Sequence, residues 1–175
     1  MLFKDFNIKK YLNKQPPSDN SDQTKKEIIE LTKIPIRENF VKEMDDGQKV
    51  FEKIVGKDSV IKKIINDSDT VIDKLKKHFN RPRPKVLAKK FNIKMDDLEL
   101  DTMKTPAYPS GHSIQAYLLG LYLSDKYPNK KNKLMKAARD ISYSRRVAHA
   151  HYLSDSMFGE EVGKDMYEHI KNKKI

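Results

Sequence analysis

Apolar residues recur along this chain at helical spacing and almost nowhere in the strict alternation of a strand. Ile61, Ile64, Ile65, Val71, Ile72, Leu75 and Phe79 fall roughly on one face of a helix predicted from Ser59 to Phe79. Ile114, Tyr117, Leu118, Leu121 and Tyr122 do the same for a strongly apolar helix from Ser110 to about Lys126. Ser21 is placed to cap a helix running through residues 25–34 until Pro35 interrupts it. Further helical stretches are expected from Phe40 to Val55, from Lys130 to Val147, and from Ser154 or Asp155 to Asn172. The run Arg81-Pro82-Arg83-Pro84 stops the helix before it, because proline lacks an amide donor and restricts its predecessor. Residues 85–109 read as irregular or briefly helical. No β-branched alternation is long enough for a sheet, and no repeat is visible. The pattern predicts an all-α, single-domain bundle over 22–175, with residues 1–21 as an N-terminal arm.

Composition narrows the partners. A chain of 175 residues buries a sizeable core, and with no cysteine it has no disulfide, no thiolate nucleophile and no thiolate metal site. The net charge of +11 attracts anions: phosphorylated metabolites, nucleic acid or an anionic membrane surface. For most of the lysines, solubility alone is a sufficient explanation. No aromatic stacking pattern or recognised motif supports specific nucleic-acid binding. The N-terminus lacks the apolar core of a secretory signal, and the longest run without a polar residue, Ala116 to Leu123, falls far short of the ~20 needed to span a bilayer. A soluble, cytoplasmic protein is expected, with export, peripheral contact to an anionic membrane surface and a homo-oligomer all left open.

Three segments carry candidate chemistry. In the first, a helix delivers Lys76, Lys77 and His78, and the prolines then turn the chain to present Arg81 and Arg83. Arginine offers planar bidentate donors to phosphate and lysine a point charge, although a basic helix end is also an ordinary solvated face. The second is Pro109-Ser110-Gly111-His112 at the start of the apolar helix. Free amides of a first turn attract anions, Gly111 permits close approach, and His112 adds a titratable group; Ser110 serves equally well as a plain N-cap. The third runs from Ser144-Arg145 through His149 and His151 to Asp155. Leu134, Ala138, Ile141 and Arg145 share a helix face, so Arg145 either meets an anionic partner in the core or snorkels out at the helix end. Asp155 has the spacing to orient His151.

In order and in internal spacing, these segments resemble the signature of the PAP2 superfamily. That superfamily includes class A bacterial acid phosphatases, lipid phosphate phosphatases and vanadium haloperoxidases. Its pattern of Lys, six residues and Arg-Pro fits Lys76 to Arg83-Pro84; Pro-Ser-Gly-His fits 109–112; Ser-Arg, five residues, His, three residues, Asp fits Ser144 to Asp155. Lys74 to Arg81-Pro82 also satisfies the first element. Lys76 and Arg83 are preferred because KKHFNRPRP resembles the acid phosphatase form and because Lys76 lies nearer the apolar face. The resemblance implies a metal-independent phosphomonoesterase without a cofactor, acting on a small phosphorylated substrate. Lys76, Arg83, Arg145, Ser110 and Gly111 would bind phosphate. His151, oriented by Asp155, would become the phosphohistidine, and His112 would act as general acid and base. Vanadate binding at His151 for haloperoxidase chemistry and lipid phosphate hydrolysis at a membrane are the alternatives within the family. Outside it stand a nucleic-acid binder and a metal hydrolase built from His112, His149, His151 and Asp155. His78 is expected at the surface or against its helix end, and His149 to shape the pocket. Residues 85–108 and the N-terminal arm are expected to wall it.

Overall fold

A computed structural model describes residues 1–175 and is entirely helical. The α-helices are α1 (Asp22–Thr32), α2 (Glu38–Asp45), α3 (Gly47–Val55), α4 (Ser59–Phe79), α5 (Pro84–Lys90), α6 (Gly111–Lys126), α7 (Lys131–Val147) and α8 (Leu153–Ile170). Three short 3-10 turns cover Ile8–Tyr11, Asp101–Lys104 and Pro128–Lys130. No helix is long and apolar enough to cross a membrane.

Most boundaries follow from local chemistry. Ser21 Oγ accepts the Thr24 amide at 3.1 Å and so caps α1. α4 ends where Asn80 turns left-handed, at φ 47°, just before the Arg-Pro repeat. Pro84 occupies the first turn of α5, where its missing N–H is harmless. The expected single helix over Phe40 to Val55 is instead two. Asp46 leaves helical geometry, and its carboxylate caps the Lys49 amide of α3 at 3.1 Å. An Asp-Gly pair favours such a break, and the apolar periodicity running across it hides the break.

α6 is the central helix, packed along both α7 and α8. Its contact with α8 is close because of two glycines. A Cβ on Gly159 would stand 2.6 Å from the Ser110 carbonyl oxygen, and one on Gly163 would collide with the Ile114 carbonyl. Ser113, Ser142 and Glu160 add a polar thread through the same three helices, with hydroxyls 2.8 Å apart and a 2.9 Å bond to the carboxylate. Phe79, Tyr108 and Phe158 form an aromatic knot: Tyr108 stacks on Phe158 at 4.7 Å and meets Phe79 edge-on at 4.9 Å. The knot fixes the end of α4, the loop before α6 and the start of α8 relative to one another. Residues 1–21 are packed rather than loose, with Leu2, Phe3 and Tyr11 buried in the main core and Lys14 O accepting the Tyr108 hydroxyl at 2.9 Å.

Candidate active site

The knot brings three chain segments to one cavity of about 210 Å³, lined by Lys76 from α4, Gly111 and His112 from the first turn of α6, and His151 from the loop before α8. Thr102 and Thr105 form one wall, while Asp69, Ile72 and Asp73 of α4 and Gln115 of α6 form the rest. The expected contribution of residues 85–108 is therefore present, and the N-terminal arm lines none of this cavity.

His151 is buried and held at both ring nitrogens. Its Nδ1 donates to Asp155 Oδ2 at 3.1 Å, and Arg83 Nη1 donates to its Nε2 at 2.9 Å. The acceptors and donors around the ring thus select the tautomer with the proton on Nδ1 and a lone pair on Nε2. Burial, then the charges of Arg83, Lys76 and Arg145, hold this imidazole well below its ordinary pKa, so it stays neutral into the acid range.

Asp155 is fully buried and does two jobs in the third position of α8. Oδ2 accepts both His151 and the Tyr152 amide, the latter at 3.0 Å, which caps the helix. Oδ1 accepts Arg81 Nη1 at 2.7 Å. Burial pushes this carboxyl up to about 7, and Arg81 is the foremost force opposing the rise. Arg81 itself lies behind the site. It reaches Glu27 and Thr24 of α1 at 3.4 Å, donates to Ser154 Oγ at 2.7 Å, and covers the Tyr152 ring at 3.7 Å. Lys76 is buried while Lys74 is exposed, so the pair facing His151 is Lys76 with Arg83 rather than Lys74 with Arg81.

The cations are engaged mostly by backbone. Lys76 Nζ donates to Pro106 O at 2.6 Å and Thr105 Oγ1 at 3.1 Å. Burial, reinforced by Arg83, lowers this amine to about 7. Arg83 donates to the carbonyls of Thr102, Thr105 and Ala150 at 2.8–2.9 Å, and burial lowers it to about 10. Arg145 is buried on the core face of α7 with an anionic partner, Asp45, at 2.8 Å, the first of its two predicted fates. One of its nitrogens, Nη2, is buried without a hydrogen-bond partner.

Asp45 is the residue that sequence analysis missed. The break after α2 exposes its carbonyl, which accepts His112 Nε2–H at 3.0 Å, while its carboxylate lies 3.4 Å from the same nitrogen. The interaction of His112 with that carboxylate is the main force holding the Asp45 carboxyl at about 2. Burial lowers His112, with Asp45 opposing. Glu27 was missed too. It accepts the Ser154 amide at 2.7 Å and braces Arg81 from α1, 54 residues away in sequence.

Two expectations are corrected in detail. Ser110 is wholly buried as the N-cap of α6, accepting the Ser113 amide at 3.3 Å, and its amide donates to the Asp155 carbonyl at 3.0 Å. It joins the second motif to the third without lining the cavity. His149, at φ 56°, turns away from the cavity to bond the carbonyls of Asp96 and Ile34 at 2.7 and 2.8 Å. A ligand set of His112, His149, His151 and Asp155 is therefore not assembled, and no three His or acidic side chains converge as metal ligands. His78 is exposed at the end of α4, bonded to Leu12 O at 2.9 Å.

The chain is 35% identical over 88 residues to the non-specific acid phosphatases of Salmonella typhimurium and Salmonella typhi, a stretch covering 50% of this chain and 35% of each relative. This chain thus spans well under two thirds of the length of the curated relatives it matches. A sequence model of the PAP2 superfamily matches residues 64–163, which contain every site residue inferred from the motifs. With that match running over more than half of its residues, the chain belongs to the PAP2 superfamily.

Proposed function

We propose that this protein is a metal-independent phosphomonoesterase of the acid phosphatase kind, working through a phosphohistidine at His151. The observation that carries the proposal is the state of that ring. Asp155 accepts the hydrogen bond of its Nδ1–H, burial and the surrounding cations keep it neutral, and its Nε2 lone pair points at Arg83 beside Lys76. A neutral imidazole facing positive charge is a nucleophile aimed at an anion-binding site.

A phosphate monoester would exchange its non-bridging oxygens for the carbonyls that now occupy Lys76 and Arg83. The unpartnered Nη2 of Arg145 fits a further oxygen, since buried donors are rarely left unpaired. The Gly111 amide, in the first turn of α6, adds a helix N-terminus. Ser110 supports that turn as its cap. Positioning and equatorial charge stabilisation are what phosphoryl transfer chiefly needs from a protein, and side-chain cations supply both.

His151 Nε2 bonds to phosphorus as the ester P–O bond breaks, and protonated His112 donates to the departing oxygen, releasing the alcohol. Neutral His112 then takes a proton from water as that water attacks the phosphohistidine, freeing phosphate and restoring His151. Asp45 orients His112 much as Asp155 orients His151. The first test is hydrolysis of p-nitrophenyl phosphate with EDTA present, together with inhibition by vanadate, which mimics the transferring phosphoryl group. Activity lost on chelation and restored by zinc or manganese would overturn the proposal.

A further inference from the structure

Two cavities meet at His112. Beyond the one that contains His151 lies a larger one of about 360 Å³, and the two share Thr102, His112 and Gln115 as a common wall. The floor of the larger cavity is apolar: Phe51, Ala116, Leu119 and Ile141 are core residues, and Ile65 stands half-buried at its side. No lysine or arginine lines it, and its charged side chains other than His112 are Asp45 and Asp46. The first cavity has Lys76 as its one lining lysine or arginine, with Asp69 and Asp73 on its outer wall. In a chain of net charge +11, the surroundings of the phosphate cradle are thus acidic and apolar.

His112 gives its proton to the leaving oxygen in the proposed reaction, so the alcohol portion of the substrate extends from His112. We infer that the larger cavity is the leaving-group subsite, and that it selects phosphate monoesters of uncharged, apolar alcohols over substrates bearing a second anionic group. The inference rests on the phosphatase proposal. A volume near 360 Å³ falls within the ~300–1,000 Å³ of small-molecule sites and takes a phenyl ring or a short alkyl chain. Each methylene laid on the apolar floor gains transition-state binding, while a second phosphate or carboxylate meets no lysine or arginine in the larger cavity and the unpaired carboxylates of Asp69 and Asp73 at the wall of the first.

The test is kcat/KM of the full chain on methyl, ethyl, propyl and butyl phosphate, with phenyl phosphate, glycerol 3-phosphate and pyrophosphate for comparison. The simple alcohols leave with nearly equal basicity, so the slope along the series reports burial rather than chemistry. A rise of about 3–4-fold per methylene is expected, from roughly 0.8 kcal/mol for each buried CH₂, with pyrophosphate the poorest substrate. Ile65→Ser should flatten the slope, lowering butyl phosphate more than methyl phosphate. Asp69→Asn with Asp73→Asn, both exposed on α4, should raise pyrophosphate hydrolysis several-fold relative to butyl phosphate. A flat alkyl series, or pyrophosphate matching butyl phosphate in the unmodified protein, overturns the subsite and leaves the phosphatase proposal standing. Failure to hydrolyse any ester overturns both.

Discussion

Replacing Arg81 by methionine separates support of the site from contact with substrate. Arg81 has no exposed side-chain surface, and it pairs with Asp155 at 2.7 Å and Glu27 at 3.4 Å, the former fully and the latter almost fully buried. Removing one partner of such a buried network leaves carboxylate charge uncompensated, a loss of about 3–5 kcal/mol, out of a total stability of about 5–15 kcal/mol. Methionine fills much of the volume, so a cavity adds little. The sign with pH follows from Asp155. Its folded-state pKa is raised to about 7, so its contribution to stability is fully present below the unfolded carboxyl value and is lost as pH rises through 7. Without Arg81 the carboxyl rises further, and the loss continues to higher pH. The Arg81→Met penalty should therefore be larger at pH 8 than at pH 5 in urea unfolding. The acid limb of kcat/KM should also move to higher pH, because His151 needs an ionised Asp155 to accept the hydrogen bond of its Nδ1–H. Lys74→Met, on an exposed position, should stay within about 0.5 kcal/mol. A pH-independent Arg81 penalty below 1 kcal/mol, with kcat/KM reduced uniformly, would mean that Arg81 touches substrate and that Lys74 with Arg81 is the functional register.

Two further outcomes follow from the same geometry. Burial lowers Lys76 to about 7, and a bound dianion pulls it back up, so sulfate, whose charge is constant from pH 5 to 9, should inhibit fully below pH 7 and about tenfold more weakly per pH unit above it; a Ki that is flat to pH 9 would show Lys76 to be charged before the anion arrives. Gly163→Ala forces a methyl group against the Ile114 carbonyl and should lower stability by about 1–3 kcal/mol, the range of overpacked cores, while an unchanged melting temperature would show that α6 and α8 part at no cost.

Local signals carried much of the architecture. The apolar stripe of α4 and the prolines at Pro82 and Pro84 marked both ends of that helix, and Ser21 was legible as a cap because its partner is three residues away. Arg145 on an apolar stripe called for an anion, yet nothing local indicated that the anion is Asp45, 100 residues earlier. The same is true of Glu27 behind Arg81. Both partners are set by how helices cross, which periodicity does not encode. The carbonyls of Thr102, Thr105 and Pro106 around Lys76 and Arg83 were invisible for another reason: every residue has a carbonyl, so side-chain identity does not mark the ones that matter. The spacing to Asp155 distinguished His151 from His149 in sequence, but not where the His149 ring goes. The positive φ of His149 is what sends the two rings in opposite directions.

The central claim, that His151 bonds to phosphorus, is tested most directly by rapid mixing with radiolabelled substrate followed by a quench that preserves phosphohistidine. With p-nitrophenyl phosphate, whose leaving group departs without a proton, His112→Ala should release a burst of nitrophenol and then slow, because water attack on the intermediate still needs His112. The label should accumulate on the protein, be lost in acid and survive alkali as a phosphoramidate does, and map to the peptide containing His151. His151→Ala should show neither burst nor label. A burst that persists in His151→Ala, or label on any other residue, would contradict the account.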